Sequence, residues 1–297
     1  MIYIYNHYLE SRLSGWKIPF NQFMRCIYYC LIENNIPCKI FQRPPYSNFK
    51  LEKDDLIIMF QINFLDYHKK DHIMPLESFW KSLSKQVILI VSEPICSPTH
   101  CHLIKQTYNP IIHSIWDYSI FNMKTYERKD LRSYLVPNGY HPCLEYNKIK
   151  CKKDIDLLLY GHVSERRKKI WAPLKKKYKV VEGNFNMKQM NELLQRTKIV
   201  PIIFSYETDK CVDFYRLMPL LSNNCFVIHE EPSIEYEDTK KQFDKIIYEP
   251  YNTFVRRIDY FLNITQEERD KISNYISDWW KKTHHIKKYI PFDSFKV

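Results

Sequence analysis

The chain has 297 residues, of which 45% are hydrophobic and 27% charged, with a formal net charge of +11. That length suggests about two domains, and that apolar fraction excludes a disordered or fibrous chain. No apolar run reaches the ~18 residues of a membrane helix, and Met1-Ile2-Tyr3-Ile4-Tyr5-Asn6-His7 lacks the charged and apolar regions of a signal peptide.

In chain order, residues 2–5 read as a strand and 20–34 as a helix, with Phe23, Ile27, Cys30 and Leu31 at helical spacing. Residues 38–41 form the next predicted strand. The continuous apolar run 56–60 is expected for a strand buried on both faces. A helix is expected at 76–84, a strand at 87–91, and two short strands at 111–112 and 134–136. Pro137-Asn138-Gly139-Tyr140-His141-Pro142 is the strongest breaker cluster. The pattern then restarts with a strand at 156–161 ending in Gly161, and a helix at 164–178 with Ser164 as its cap. A strand at 179–182, a helix at 188–197 and a strand at 199–204 follow. A helix at 213–221 must bend or end at Pro219. A strand at 225–228 precedes two closing helices, 252–262 and 266–282. This βαβα order, twice over, implies an α/β chain of two parallel-sheet domains, 1–145 and 146–297. It also places a ligand cleft between them, at the carboxyl ends of the strands.

Charge is uneven along the chain. Residues 151–200 carry 13 basic and 5 acidic side chains, whereas 201–250 carry 5 basic and 10 acidic. A nucleic-acid binder more often spreads its basic face over a whole domain, so the peak fits a local phosphate site or ordinary solvation. The nine cysteines show no disulfide framework. They read as thiols of a reducing compartment, hence a cytoplasmic protein, in the host cytoplasm if the source is viral.

Four segments, in order, carry a family resemblance. They are Ile115-Trp116-Asp117-Tyr118-Ser119 with Asn122; Val136-Pro137-Asn138-Gly139-Tyr140; Leu159-Tyr160-Gly161-His162-Val163-Ser164-Glu165-Arg166-Arg167; and 199–230, containing Asp213-Phe214-Tyr215-Arg216. Together they resemble glycosyltransferases of the GT-B type, in particular the small "glycosyltransferase family 1"-like proteins of bacteria and large DNA viruses. The likeness covers residues 87–280. It implies two Rossmann-like domains, an acceptor-side N-domain and a donor-binding C-domain. It also implies a last helix that packs back towards the N-domain, with Trp279 and Trp280 as anchors. The implied reaction is metal-independent hexosyl transfer from a nucleotide-diphospho-sugar, with a UDP-sugar as the expected donor.

The residues can be argued beside that resemblance. A diphosphate leaving group must be stabilised electrostatically, and a strand, glycine turn and helix N-terminus present N–H groups to phosphate. Gly161, His162, Arg166 and Arg167 are therefore candidate donor-phosphate residues. One arginine is expected to face the cleft and the other solvent, because adjacent helical residues diverge by ~100°. The alternative is a basic amphipathic helix with no ligand. In the resembled family an acidic residue, usually glutamate, stands at the place of Asp213 and binds the nucleotide ribose. The alternative for Asp213 is a helix cap. Arg216 reaches either the diphosphate or Asp213. The pair of acids with seven residues between them, shown by many relatives, is not met: Ser205 stands eight positions before Asp213 and Glu207 lies outside the spacing. Phe204 and Tyr206 either stack on the base or pack in the core. In the N-domain, Glu93 at the end of strand 87–91 and Asp117 are the candidate catalytic groups, each with a structural alternative. Asn138 and Gly15 are further candidates for cleft contacts.

Three other signals are set aside. Asp154-Ile155-Asp156 has a metal-binding form but begins a strand instead of ending one. Cys96, His100, Cys101 and His102 lack the second ligand pair of a zinc site. The runs Lys175-Lys176-Lys177 and Lys287-Lys288 read as solvated faces, although peripheral membrane contact stays open. The expected function is a glycosyltransferase acting on a glycan or other hydroxyl acceptor, with no cofactor beyond its donor, no metal and no nucleic-acid partner. The alternatives are a catalytically inactive GT-B-like binding module and a basic nucleic-acid-binding protein. Retention or inversion, the acceptor and the oligomeric state are left open.

Overall fold

The two runs of alternating strands each close into a parallel sheet. The computed structural model describes residues 1–5, 17–41, 51–60, 83–91, 111–127, 131–147, 151–207 and 211–295. Its contacts divide the chain into two units. The first comprises Met1–Glu10, Met24–Pro137 and Ile286–Val297, and the second Ser11–Phe23 and Asn138–His285.

The first unit holds β1 (Ile2–Tyr5), β2 (Cys38–Phe41), β3 (Leu56–Phe60), β4 (Val87–Ile90), β5 (Ile112–Asp117) and β6 (Ser133–Leu135), in the order β2-β1-β3-β4-β5-β6. Every neighbouring pair is parallel. All of β3 is buried, as a Leu-Ile-Ile-Met-Phe run with apolar side chains on both faces requires. Helix α1 (Lys17–Glu33) and helix α2 (Ile120–Glu127) are the described helices before residue 138.

The second unit holds β7 (Ile155–Tyr160), β8 (Val180–Gly183), β9 (Thr197–Ile202), β10 (Val227–Glu230) and β11 (Ile247–Glu249), in the order β11-β10-β9-β7-β8, again parallel throughout. Read from the other edge, β8-β7-β9-β10-β11 winds as β2-β1-β3-β4-β5 does. In each sheet the chain steps from its first strand to one neighbour and then crosses back to the other side. That reversal opens a crevice beyond the strand ends, between β7 and β9 in the second unit.

Helix α3 (Glu165–Lys177) buries Arg167, Ile170, Trp171 and Leu174, a stripe at i, i+3, i+4 and i+7. The three apolar members join a core with Leu157, Leu159, Ile199 and Phe254, each contributing about 1.5–3 kcal/mol by leaving water. Helices α4 (Met187–Arg196), α5 (Phe214–Ser222), α6 (Glu237–Gln242), α7 (Phe254–Asn263) and α8 (Gln266–Thr283) complete the unit. α8 is anchored on α5: the Ser277 hydroxyl donates to Leu221 O at 2.6 Å and Trp280 Nε1 to Ser222 Oγ at 3.3 Å. Trp280 is fully buried against Phe243 and His284, all within this unit.

The structure differs from expectation at several elements. Helix α5 runs three residues beyond Pro219, because eight of its nine residues are buried and packing outweighs one lost backbone hydrogen bond. β5 is a six-residue strand where only 111–112 was expected. α2, α6 and β11 were unforeseen. Leu83 and Ser84 are not helical, and the rest of the expected helix 76–84 lies outside the described residues. The expected strand 225–228 instead runs over Val227–Glu230, so that His229 and Glu230 belong to the sheet and are buried. This shift places a carboxylate at the carboxyl end of β10.

Candidate functional site

β7 ends at Tyr160, and Gly161 turns the chain with φ +96°. An L side chain there is strained, and its Cβ would stand 3.4 Å from Arg167 Nη1. Ser164 then caps α3, its Oγ accepting the Arg167 N–H at 3.2 Å. The first-turn N–H groups have no acceptor within the helix, so this end carries positive potential.

Arg167 is 4% exposed. Its Nε donates to Ile203 O at 2.7 Å and its Nη1 to His162 O at 2.7 Å. Among the described residues it has no carboxylate in an ion pair. Burial, and then the charge of Arg216, push its pKa down to about 9. A guanidinium held in this way is a poorly compensated cation, and two carbonyl oxygens offset only part of its lost hydration.

Arg166 differs in kind. It lies over the Tyr251 ring, 3.8 Å from the centroid. Its Nη1 donates to Glu230 Oε2 at 2.6 Å and to Phe204 O at 3.2 Å, its Nη2 donates to Glu230 Oε1, and its Nε donates to Glu207 Oε2 at 2.6 Å. Burial lowers its pKa, but the two carboxylates outweigh this and raise it. The expectation that one arginine faces solvent is corrected here. The Arg166 side chain is only 12% exposed, because Glu230 at the end of β10 is within its reach.

Asp213 caps α5: its Oδ1 accepts the Arg216 N–H at 3.1 Å and its Oδ2 accepts Arg216 Nε at 2.6 Å. Burial raises its pKa, yet Arg216, His229 and the capped N–H together lower it. The capping alternative for Asp213 and the ion-pair alternative for Arg216 are thus realised together. Behind it, His229 Nε2 accepts the Asp213 N–H at 3.0 Å, which leaves the proton on Nδ1 for Glu230 O at 2.5 Å.

That network holds His229 neutral, and burial pushes its pKa down from 6.5 to about 4. The unfolded chain takes up this proton near pH 6.5 and the folded chain only near pH 4, so the unfolded state binds more protons between them. Stability is therefore whole above pH 6.5 and falls as the pH drops to 4, by about 3 kcal/mol from this group. Urea unfolding at stepped pH measures the loss. An equally steep profile in His229→Gln would assign it to other groups.

Tyr206 is 55% exposed, with its ring stacked on His162 at 6.4 Å and 28°. Phe204 packs in the core against His229. The structure therefore gathers Gly161, His162, Arg166, Arg167, Tyr206, Asp213 and Arg216 around the carboxyl ends of β7, β9 and β10. Glu230 and Tyr251 join them, and reading the sequence missed both. No local pattern marks Glu230, since only the sheet register brings β10 to α3. The burial of Arg167, by contrast, is readable from its place in the stripe with Ile170, Trp171 and Leu174.

Other candidates stand elsewhere. Asp117, in the first unit, is fully buried, and its Oδ1 accepts the Ser119 N–H at 2.8 Å and Asn122 Nδ2 at 3.1 Å, a capping arrangement at the start of α2. Asn138 is fully buried, and among the described residues neither end of its amide has a hydrogen-bond partner. Glu93, Gly15, Cys96, His100, Cys101 and His102 lie outside the described residues. Asp154 is bound by Arg196 and Lys179, and Asp156 by Lys198. Among the described residues no group of three His, Cys, Asp or Glu side chains gathers to hold a metal ion, and no helix is long and apolar enough to cross a membrane.

No family model and no curated protein matches the chain. Among solved structures, TarM superposes with a TM-score of 0.52 at 10% sequence identity, covering 93% of this chain and 58% of TarM. The chain thus spans 58% of the length of that structure. The GtfA/B complex bound to UDP and GlcNAc aligns with a TM-score of 0.29 at 13% identity, over 86% of this chain and 58% of that one. The likeness to TarM shows the fold alone: an α/β chain of two parallel-sheet, Rossmann-like units, consistent with the GT-B type.

Proposed function

We propose that the chain is a glycosyltransferase that takes its sugar from a nucleotide-diphospho-sugar, a UDP-sugar, and passes it to a hydroxyl of a glycan or other acceptor. The observation that carries this reading is Arg167, a buried guanidinium that no carboxylate among the described residues pairs with, beside a glycine turn and a helix N-terminus at the β7–β9 crossover. A diphosphate supplies the missing anion. Arg167 holds it with Arg216 at its side. As the bond from the sugar C1 to the phosphate oxygen breaks, the electron pair leaves with UDP, and Arg167 stabilises the growing charge. The acceptor oxygen bonds to C1, and its proton passes to the departing diphosphate, which carries the electron pair of the broken bond.

Asp213 faces the ribose. A carboxylate has about four acceptor positions, and Arg216 takes three through its N–H, Nε and Nη2, so one ribose hydroxyl fits. His162 and Tyr206 offer ring faces to the base. Guanidinium groups supply the counter-charge in this scheme, and the aspartates of Asp154-Ile155-Asp156 are already engaged by basic side chains.

Thermal unfolding with UDP, GDP and a panel of UDP-sugars tests the donor, because a bound nucleotide raises the midpoint by mass action. UDP release with glycan acceptors tests transfer. Absence of both effects contradicts the reading. The capping role of Asp117 favours one second reading, a module that binds the donor without turning it over; it gives the shift and no release. A nucleic-acid interface is not favoured, because Lys168, Lys175, Lys177, Lys179, Arg196 and Lys198 of the basic stretch each pair with a carboxylate.

A further inference from the structure

The guanidinium of Arg166 has two edges that can hold an oxyanion, and carboxylates sit on both. Glu230, 1% exposed, takes the Nη1–Nη2 edge and also accepts the Phe204 N–H at 3.0 Å, so it is built into the sheet end. Glu207 takes Nε on the other edge at 2.6 Å, and its side chain is 68% exposed. Tyr251 covers the guanidinium face. The edge that a solute would reach is therefore the one on which a solvent-facing carboxylate rests.

We infer that Glu207 is a built-in occupant of the phosphate site: it holds the Nε edge of Arg166 in the ligand-free protein, and a phosphoryl group of the donor displaces it. The inference rests on the diphosphate reading given above. An ion pair with one partner open to water is weakly held, whereas a phosphoryl group brings more charge and a geometry matched to the guanidinium fork. Displacement has a local consequence. Glu207 follows Tyr206, whose ring stacks on His162, so exchange of the carboxylate for phosphate resets the aromatic pair that faces the base. Glu207 thereby lowers affinity for small anions and links phosphate binding to the base site.

Calorimetry with inorganic pyrophosphate and with UDP tests this on the wild-type chain, Glu207→Gln and Glu165→Gln. Glu165 lies in the first turn of the same helix and pairs with Lys168, so its substitution removes an equal charge without touching Arg166. Glu207→Gln is expected to bind both probes about 3- to 10-fold more tightly, with Glu165→Gln close to wild type. Wild-type binding with no gain in Glu207→Gln overturns the inference and leaves the diphosphate reading standing. Equal gains in both variants also overturn it, because a general field effect then suffices. No binding by any of the three removes the diphosphate reading and the inference together.

Discussion

Arg167→Gln lowers the affinity for UDP on the order of 100-fold, about 2–3 kcal/mol, the scale of a charged hydrogen-bonded contact. The size follows from how the residue is held. Among the described residues Arg167 donates to two backbone carbonyls and no carboxylate is in an ion pair with it, although the charges of Asp213 and Glu230 act on it from nearby. Arg167→Lys keeps the charge but not the planar fork, and is expected to fall between wild type and Gln. Calorimetry with UDP measures both, with circular dichroism as the check on folding. Undiminished affinity in a folded Arg167→Gln protein would remove the central assignment.

Arg166→Ala removes the Nε edge assigned above to a phosphoryl group, and its largest expected effect is on stability. It leaves Glu230 as a buried carboxylate without its cation, a loss of about 3–5 kcal/mol. For a protein of this size that lowers the thermal midpoint by about 6–20 °C. Adding Glu230→Gln to Arg166→Ala recovers part of the loss, because the charge is gone and the amide oxygen can still accept the Phe204 N–H. Glu230→Gln alone is milder, since Arg166 keeps Glu207 and the Tyr251 ring. Equal losses in Arg166→Ala and in the double variant would show that the Glu230 charge is not what destabilises the single variant.

These contrasting expectations separate two adjacent arginines that look alike in sequence. Their difference comes from the partners met in space. α3 turns Arg167 onto the stripe that packs against the sheet, beneath the glycine turn. Arg166 reaches sideways to the ends of β9 and β10, where carboxylates wait. Asp213 shows the same ambiguity. Its capping position was visible in the sequence, and its pairing with Arg216 was one of two open outcomes.

Much of the fold was readable because buried strands such as Leu56–Phe60 and Ile155–Tyr160 are apolar runs, and helices such as α3 and α8 show regular spacing or caps. The errors lie where polar residues are buried by partners distant in the chain. His229 and Glu230 looked like the exit from a strand, yet they end one, because Asp213, Arg166 and Phe204 satisfy their polar atoms. Pro219 looked like a break in α5, and burial of nearly the whole helix carries it through.

By itself, the amino-acid sequence determined two runs of alternating strands and helices, the glycine turn after β7, and a basic helix start beside it. Those features depend on residues near one another in the chain. Which arginine pairs with carboxylates and which donates to backbone carbonyls was decided only by the tertiary structure. That choice depends on Glu230 and Ile203, brought to the same sheet end by strand register, and the cost of burying charge then distinguishes the two guanidinium groups.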